Sequence, residues 1–259
     1  MIRVKPAPIS PVRFEVDGAV ARITLDRSEQ HNALRAEDVS RLHTLFDRVE
    51  ADSFVRVLVV TGSGDRTFCS GASLEQMESG EMSGRIFDSL TDRLARLTTP
   101  TICMLNGSVY GGGAELALCC DFRLGTPEVR LSVPAALLGV CYPVGGLGRY
   151  VRRVGLPAAT RILLAAEELE GVELHRIGYL THLVERDLLD STTSSLAARL
   201  SALAPLAIRN MKALMLDIAE GSIDAAEADR RIDECMASED LREGLAARRE
   251  KREPDFRGR

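Results

Sequence analysis

Three consecutive glycines, Gly111-Gly112-Gly113, stand between a short apolar segment and a helix-forming run that begins Ala114-Glu115-Leu116-Ala117-Leu118. Without a Cβ, such a backbone takes angles closed to other residues and lets a ligand approach the main chain. The first N–H groups of the following helix lack internal partners and carry roughly half a positive charge. That suits an oxygen that becomes negative during a reaction. Glu115 adds a carboxylate beside it. An oxyanion site next to an acid/base is the pairing that enolate formation from an acyl thioester needs. The same residues also fit a tight turn with a closely packed helix, its acid complementing the helix dipole. The surrounding sequence has to decide.

A second segment of this kind, Phe68-Cys69-Ser70-Gly71-Ala72-Ser73-Leu74, follows an apolar β-type run from Val55 to Val60 and the turn Thr61-Gly62-Ser63-Gly64. A third, Pro134-Ala135-Ala136-Leu137-Leu138-Gly139, lies further on. Taken alone, Ser70-Gly71-Ala72 reads as an ordinary strand-to-helix turn. A nucleotide-binding reading of Gly62-Ser63-Gly64 is weak, because neither a phosphate-loop lysine pattern nor GxGxxG continues from it. The histidines His31, His43, His175 and His182 show no metal-ligand spacing.

The elements that must position these segments follow from pattern. Asp17-Gly18 between two β-type runs, Phe14 to Val16 and Val20 to Leu25, signals a hairpin. Residues 36–51 are predicted helical, with Val39, Leu42, Leu45, Phe46 and Val49 on one stripe. Val55 to Val60 and Thr101 to Leu105 are expected buried strands, and Ile86 to Leu97 a helix ending before Pro100. Phe122 to Leu124 and Val129 to Leu131 are expected short strands. The alternation implies βαβ crossovers. After Leu147, helical runs are expected over 157–166, 171–178, 187–203, 205–219 and 223–236, and a basic segment, Arg248 to Arg252, comes near the end. Residues 1–12 hold three prolines and are expected to be an extended lead-in.

The chain of 259 residues can bury a substantial core, and 45% hydrophobic residues mark it as globular. A net charge of −5 gives no support to nucleic-acid binding through a basic surface. No apolar run reaches the ~18 residues of a membrane span, and no apolar signal core follows Met1-Ile2-Arg3-Val4-Lys5. Cys69, Cys103, Cys119, Cys120, Cys141 and Cys235 include no CxxC pair and sit mostly in apolar segments. That favours buried thiols in a reducing cytoplasm over disulfides or zinc.

The ordered segments Phe68 to Leu74, Pro100 to Asp121 and Pro134 to Gly139 resemble the crotonase superfamily, that is, enoyl-CoA hydratases and isomerases. The resemblance runs from about Phe14 to Phe256. It implies an α/β fold, a crotonase-like spiral of βαβ units over residues 1–195 that binds acyl-CoA. A helical C-terminal subdomain over 196–259 would mediate trimer formation and cover the active site. It implies a homotrimer or a dimer of trimers in the cytoplasm, acting on an acyl-CoA with no separate cofactor, coenzyme A being part of the substrate.

By the same resemblance, the backbone N–H groups of Ala72 and Gly112 form the oxyanion site and Glu115 is the acid/base. Hydratases of the family carry a second glutamate directly after the proline matched by Pro134; this chain has Ala135 there. The resemblance therefore implies hydration of a 2-enoyl-CoA or a double-bond shift. The alternative is an acyl-CoA-binding homologue with weak or different catalysis. Tyr142 is the first candidate to fill the missing role, or else it shapes an apolar pocket. Ser70, Ser73, Leu74 and Leu138 are expected along the substrate. Arg27, His31 and Ala33 fall in the loop that holds the adenine end of CoA in relatives, and Lys251 aligns with a lysine that reaches CoA phosphate.

Overall fold

The computed structural model describes residues 11–259. Most of the expected lead-in over residues 1–12 lies outside them. Strands β1 (Arg13–Asp17) and β2 (Val20–Leu25) form the antiparallel hairpin that Asp17-Gly18 predicts, with Gly18 at φ 54°. Helix α1 (Ala36–Ala51) follows, and its predicted stripe is buried throughout.

The chain then winds as a spiral. Three successive turns each place one strand in a large sheet and its continuation in a small one. These pairs are β3 (Val57–Gly62) with β4 (Thr67–Cys69), β5 (Thr101–Met104) with β6 (Ser108–Tyr110), and β7 (Phe122–Gly125) with β8 (Arg130–Ser132). Between them lie α2 (Leu74–Ser79), α3 (Gly84–Ala95) and α4 (Gly112–Leu118). Beyond β8 come α5 (Val144–Leu163), β9 (Leu169–Glu170), α6 (Gly171–Arg176) and β10 (His182–Leu183). The large sheet has the order β1-β2-β3-β5-β7-β10, parallel from β2 onward. The small sheet has the order β4-β6-β8-β9.

The corners between the sheets are locked by buried amides. Asn106 Oδ1 accepts from Gly62 N at 2.9 Å, and its Nδ2 donates to Gly64 O at 2.8 Å. Asn32 Nδ2 donates to Thr67 O at 2.8 Å. Gly62-Ser63-Gly64 is thus a sheet-to-sheet corner, and its polar neighbours are satisfied within the fold.

Alternation along the central strands divides the core. Leu58, Val60, Cys103 and Leu105 face the space between the sheets. Val57, Val59, Ile102 and Met104 face α7 (Leu189–Ser201), through its Leu189, Ala197 and Leu200. The expected boundary at 195/196 therefore falls inside a helix packed on the large sheet. After α7 come α8 (Pro205–Glu220), α9 (Ala225–Ala237) and α10 (Glu239–Glu250). Lys212 anchors α8: its buried Nζ lies 2.6 Å from Asp121 Oδ2 and donates to Thr99 O at 3.0 Å.

Several elements differ from the sequence reading. The strand expected over 55–60 runs from Val57 to Gly62, because Val55 closes the turn out of α1 onto Asp52 O and Arg56 N donates to Ala19 O ahead of the strand. Of the small sheet only β8 was expected, as Val129 to Leu131; β4, β6 and β9 were not, since strands of two or three residues carry no periodicity. Helix α5 begins at Val144 rather than at 157; it is two helical pieces joined at Gly155, where φ is 77° and ψ 158°. The basic segment from Arg248 begins in the last turn of helix α10.

Candidate active site

Strands β4 and β6 are parallel neighbours, so the segments after them leave the small sheet side by side. In the first, Leu34 N donates to Gly71 O and Ser73 N donates to Leu34 O, both at 2.8 Å. By strand alternation Ala72 turns its own N–H away from Leu34. In the second, Gly112 is the first residue of α4, and its N–H has no acceptor inside the helix. The two segments touch. A Cβ on Gly71, at φ 91°, would stand 2.6 Å from Gly112 N, and one on Gly113 would stand 2.1 Å from Cys69 O. Only glycine at 71 and 113 lets the backbones meet this closely.

One turn into α4, Glu115 is 3% exposed. Arg149 of α5 holds it, with Nη2 and Nε donating to Oε1 at 2.8 and 3.2 Å. Arg149 also donates to Asp92 Oδ1 at 2.7 Å and Thr91 Oγ1 at 2.8 Å, both on α3. Burial raises the Glu115 pKa above its ordinary value, against the lowering pull of Arg149. Arg149 in turn stays charged: burial disfavours its charge, but Glu115 and Asp92 more than offset that. Arg149 was missed by the sequence reading. Its only local signal is a charge at the spacing Gly146, Arg149, Tyr150, all three buried on one face of α5.

A cavity of about 550 Å³ opens over these groups. Of the residues expected along the substrate, Ala33, Ser70, Ala72, Ser73, Leu74, Gly112, Glu115, Ala135, Leu138 and Tyr142 line it. Met77, Met82, Phe87, Asp88 and Val140 complete much of its wall. Ser73 also caps α2, accepting from Gln76 N at 3.4 Å. Tyr142 places its hydroxyl in a buried position with no hydrogen-bond partner among the described residues. Burial first, and the nearby Glu115 second, push its pKa above the ordinary value, so it stays a neutral phenol.

Three expected binding residues do not line this cavity. Arg27 is turned inward to Asp38 at 2.5 Å and donates to Ala33 O at 2.6 Å, so its charge is spent on holding the loop. His31, at φ 54°, directs Nδ1 to Thr67 Oγ1 at 3.0 Å, toward the corner behind the loop. Lys251 is the exposed left-handed residue ending α10, away from the cavity lining. Cys69, Cys103, Cys119 and Cys120 are buried, whereas Cys141 is exposed and Cys235 half-buried. Among the described residues, no group of His, Cys, Asp and Glu is arranged to hold a metal ion.

Known proteins share the sequence and the fold of this chain. The family model for enoyl-CoA hydratase/isomerase matches residues 15–259. A short-chain-enoyl-CoA hydratase of Clostridium acetobutylicum is 31% identical over 251 residues, which covers 94% of this chain and 96% of that protein. A crotonyl-CoA hydratase of Syntrophomonas wolfei is 32% identical with the same coverage. Among solved structures, a putative enoyl-CoA hydratase/isomerase family protein of Hyphomonas neptunium superposes with a TM-score of 0.90 at 25% identity, covering 96% of this chain and 98% of that one.

Proposed function

The chain belongs to the enoyl-CoA hydratase/isomerase family, and from that premise we propose that it adds water across the double bond of a 2-enoyl-CoA. The observation that carries this reading is the buried carboxylate of Glu115 on the cavity wall beside Gly112 and Ala72. The thioester oxygen takes the two backbone N–H groups, and they stabilise the enolate shared between that oxygen and the α-carbon. One such donor is typically worth ~3 kcal/mol of transition-state stabilisation. Glu115 moves a proton at the reacting carbons. Leu74, Met77, Met82, Phe87, Leu138 and Val140 supply an apolar surface for the acyl chain. Coenzyme A arrives as part of the substrate, and the chemistry calls for no further cofactor.

A double-bond shift in a 3-enoyl-CoA is the second reading. One carboxylate suffices to carry a proton between two carbons, and position 135, on the cavity wall, has none. Absorbance of the conjugated enoyl thioester separates the two, falling with crotonyl-CoA in hydration and rising with a 3-enoyl-CoA in the shift. No change with either substrate, with acyl-CoA still bound, would sink both and leave an acyl-CoA-binding protein.

The functional unit in this reading is a homotrimer or a dimer of trimers, working in the cytoplasm. Support comes from α8 and α9, which expose Met211, Met215, Ile218, Ile232 and Met236 while α8 buries Lys212. Exposed apolar faces of this extent mark association surfaces. Light scattering that gave a monomer at micromolar concentration would remove the assembly.

A further inference from the structure

Position 135 leaves the reaction one acid short, and a different helix carries a carboxylate into the same cavity. Asp88 lies on α3 and lines the cavity together with Glu115 and Gly112. Its neighbour Phe87 packs against the oxyanion segment, the ring lying 2.6 Å from where a Cβ on Gly112 would stand. Asp88 Oδ1 is buried and has no hydrogen-bond partner among the described residues. Its nearest cation is Arg149 Nη2 at 3.6 Å, the same nitrogen that donates to Glu115 Oε1 at 2.8 Å. The first turn of α5 is shaped around both acids. A Cβ at Gly145 would lie 3.3 Å from Asp88 Oδ1, and one at Gly146 would lie 3.0 Å from Glu115 Oε1. Two adjacent glycines thus make room for two carboxylates on either side of one guanidinium.

We propose that Asp88 is the second carboxylate of the hydration, standing in from α3 for the acid absent at position 135. This rests on the hydratase reading given above. Arg149 divides the roles. It donates twice to Glu115 but lies beyond hydrogen-bond distance of Asp88, so Glu115 is the group it holds as an anion. Burial first, then the Asp92 charge, raise the Asp88 pKa, while Arg149 lowers it less. In the reaction a water oxygen bonds to the β-carbon, and its proton passes to Glu115. The π-electron pair moves to the α-carbon and thioester oxygen, and the carboxyl proton of Asp88 goes to the α-carbon. One water is added, one carboxyl has gained a proton and the other has lost one, and exchange with solvent resets the pair.

The test is turnover of crotonyl-CoA by the full-length protein across pH. The groups that bear on Asp88 are Asp92 on its own helix, Glu115 from α4 and Arg149 from α5. Asp88→Asn should lower kcat by about tenfold or more, since a positioned acid/base typically contributes 10²–10⁴. KM should stay within about twofold, and the basic limb of the pH profile should disappear. Adding Ala135→Glu to that variant should restore about tenfold. A merely structural Asp88 would not be rescued from across the cavity. An Asp88→Asn protein that matches the wild type, or a slowed one that keeps the wild-type pH profile, would overturn the assignment and leave the hydratase reading standing. A wild type with no hydration at all would overturn that reading and this one together.

Discussion

On one side of the cavity, α3, α4 and α5 bring Asp88, Asp92, Glu115 and Arg149 within reach of one another. On the other side, Pro134 to Val140 offers Ala135, Leu138 and Val140 and no ionisable group. The first wall is closely paired, with Glu115 and Arg149 nearly excluded from water. The second is a short helical turn, and Leu137, Leu138 and Val140 remain exposed on it. The difference has a physical cause. A carboxylate can be buried only where a cation and hydrogen-bond donors compensate the lost solvation. Three packed helices supply those partners, and an isolated turn does not. Charge chemistry therefore gathers on the helical wall, while the apolar wall can vary without unpairing anything.

Substitutions on the two walls should differ in kind as well as size. Glu115→Gln should have the largest effect, lowering turnover of crotonyl-CoA by about a thousandfold, in the middle of the range for a positioned acid/base. The variant should keep its melting behaviour and its binding of CoA. A variant retaining a tenth of the wild-type rate would remove Glu115 from the chemistry.

Arg149→Met should come next, destabilising the protein by about 3 kcal/mol in urea unfolding, because it leaves a buried carboxylate without its partner. It also shifts the pH dependence. The Glu115 pKa is already raised above 4.5 in the folded protein. The stability linked to its proton is therefore complete below that value and is lost as pH rises through the folded pKa. As a base Glu115 works only above the folded value, so the acid limb of turnover should lie above 4.5. Without Arg149 the lowering pull is gone, and the limb should move further up. A limb that stayed in place would mean that another group sets it.

On the apolar wall, Leu138→Ala should change kcat/KM by about tenfold, the low end of what one methylene is worth in a hydrophobic site, because Leu138 is largely exposed. The loss should be greater for longer acyl chains, as a chain-length series would measure. Tyr142→Phe should be the smallest change in activity. It removes a buried hydroxyl that has no partner among the described residues and should raise stability by about 1 kcal/mol. A loss of turnover beyond tenfold would instead place the Tyr142 hydroxyl on the substrate and blur the contrast between the walls.

Much of the scaffold was legible because its signals are contiguous. The stripe of α1 and the turn at Asp17-Gly18 each reside in a short run of residues, and the structure keeps them. The glycines of the two touching segments were visible for the same reason, since a backbone approach of 2.1 to 2.6 Å to a would-be Cβ admits only glycine. Loop composition did not say where side chains turn. Arg27 and His31 sit in the expected loop, but Asp38 and Thr67 draw them away from the cavity.

The sequence by itself determined the hairpin, strands β3, β5 and β7, helices α1 and α3, the paired glycine segments and the place of Glu115, because propensity, periodicity and the lack of a Cβ act locally. Tertiary structure decided the rest of the site. Arg149 and Asp88 are far from Glu115 along the chain and meet it only when α3, α4 and α5 pack together. The Coulomb and hydrogen-bond terms that set their charge depend on distance and burial, and those quantities do not exist until the chain has folded.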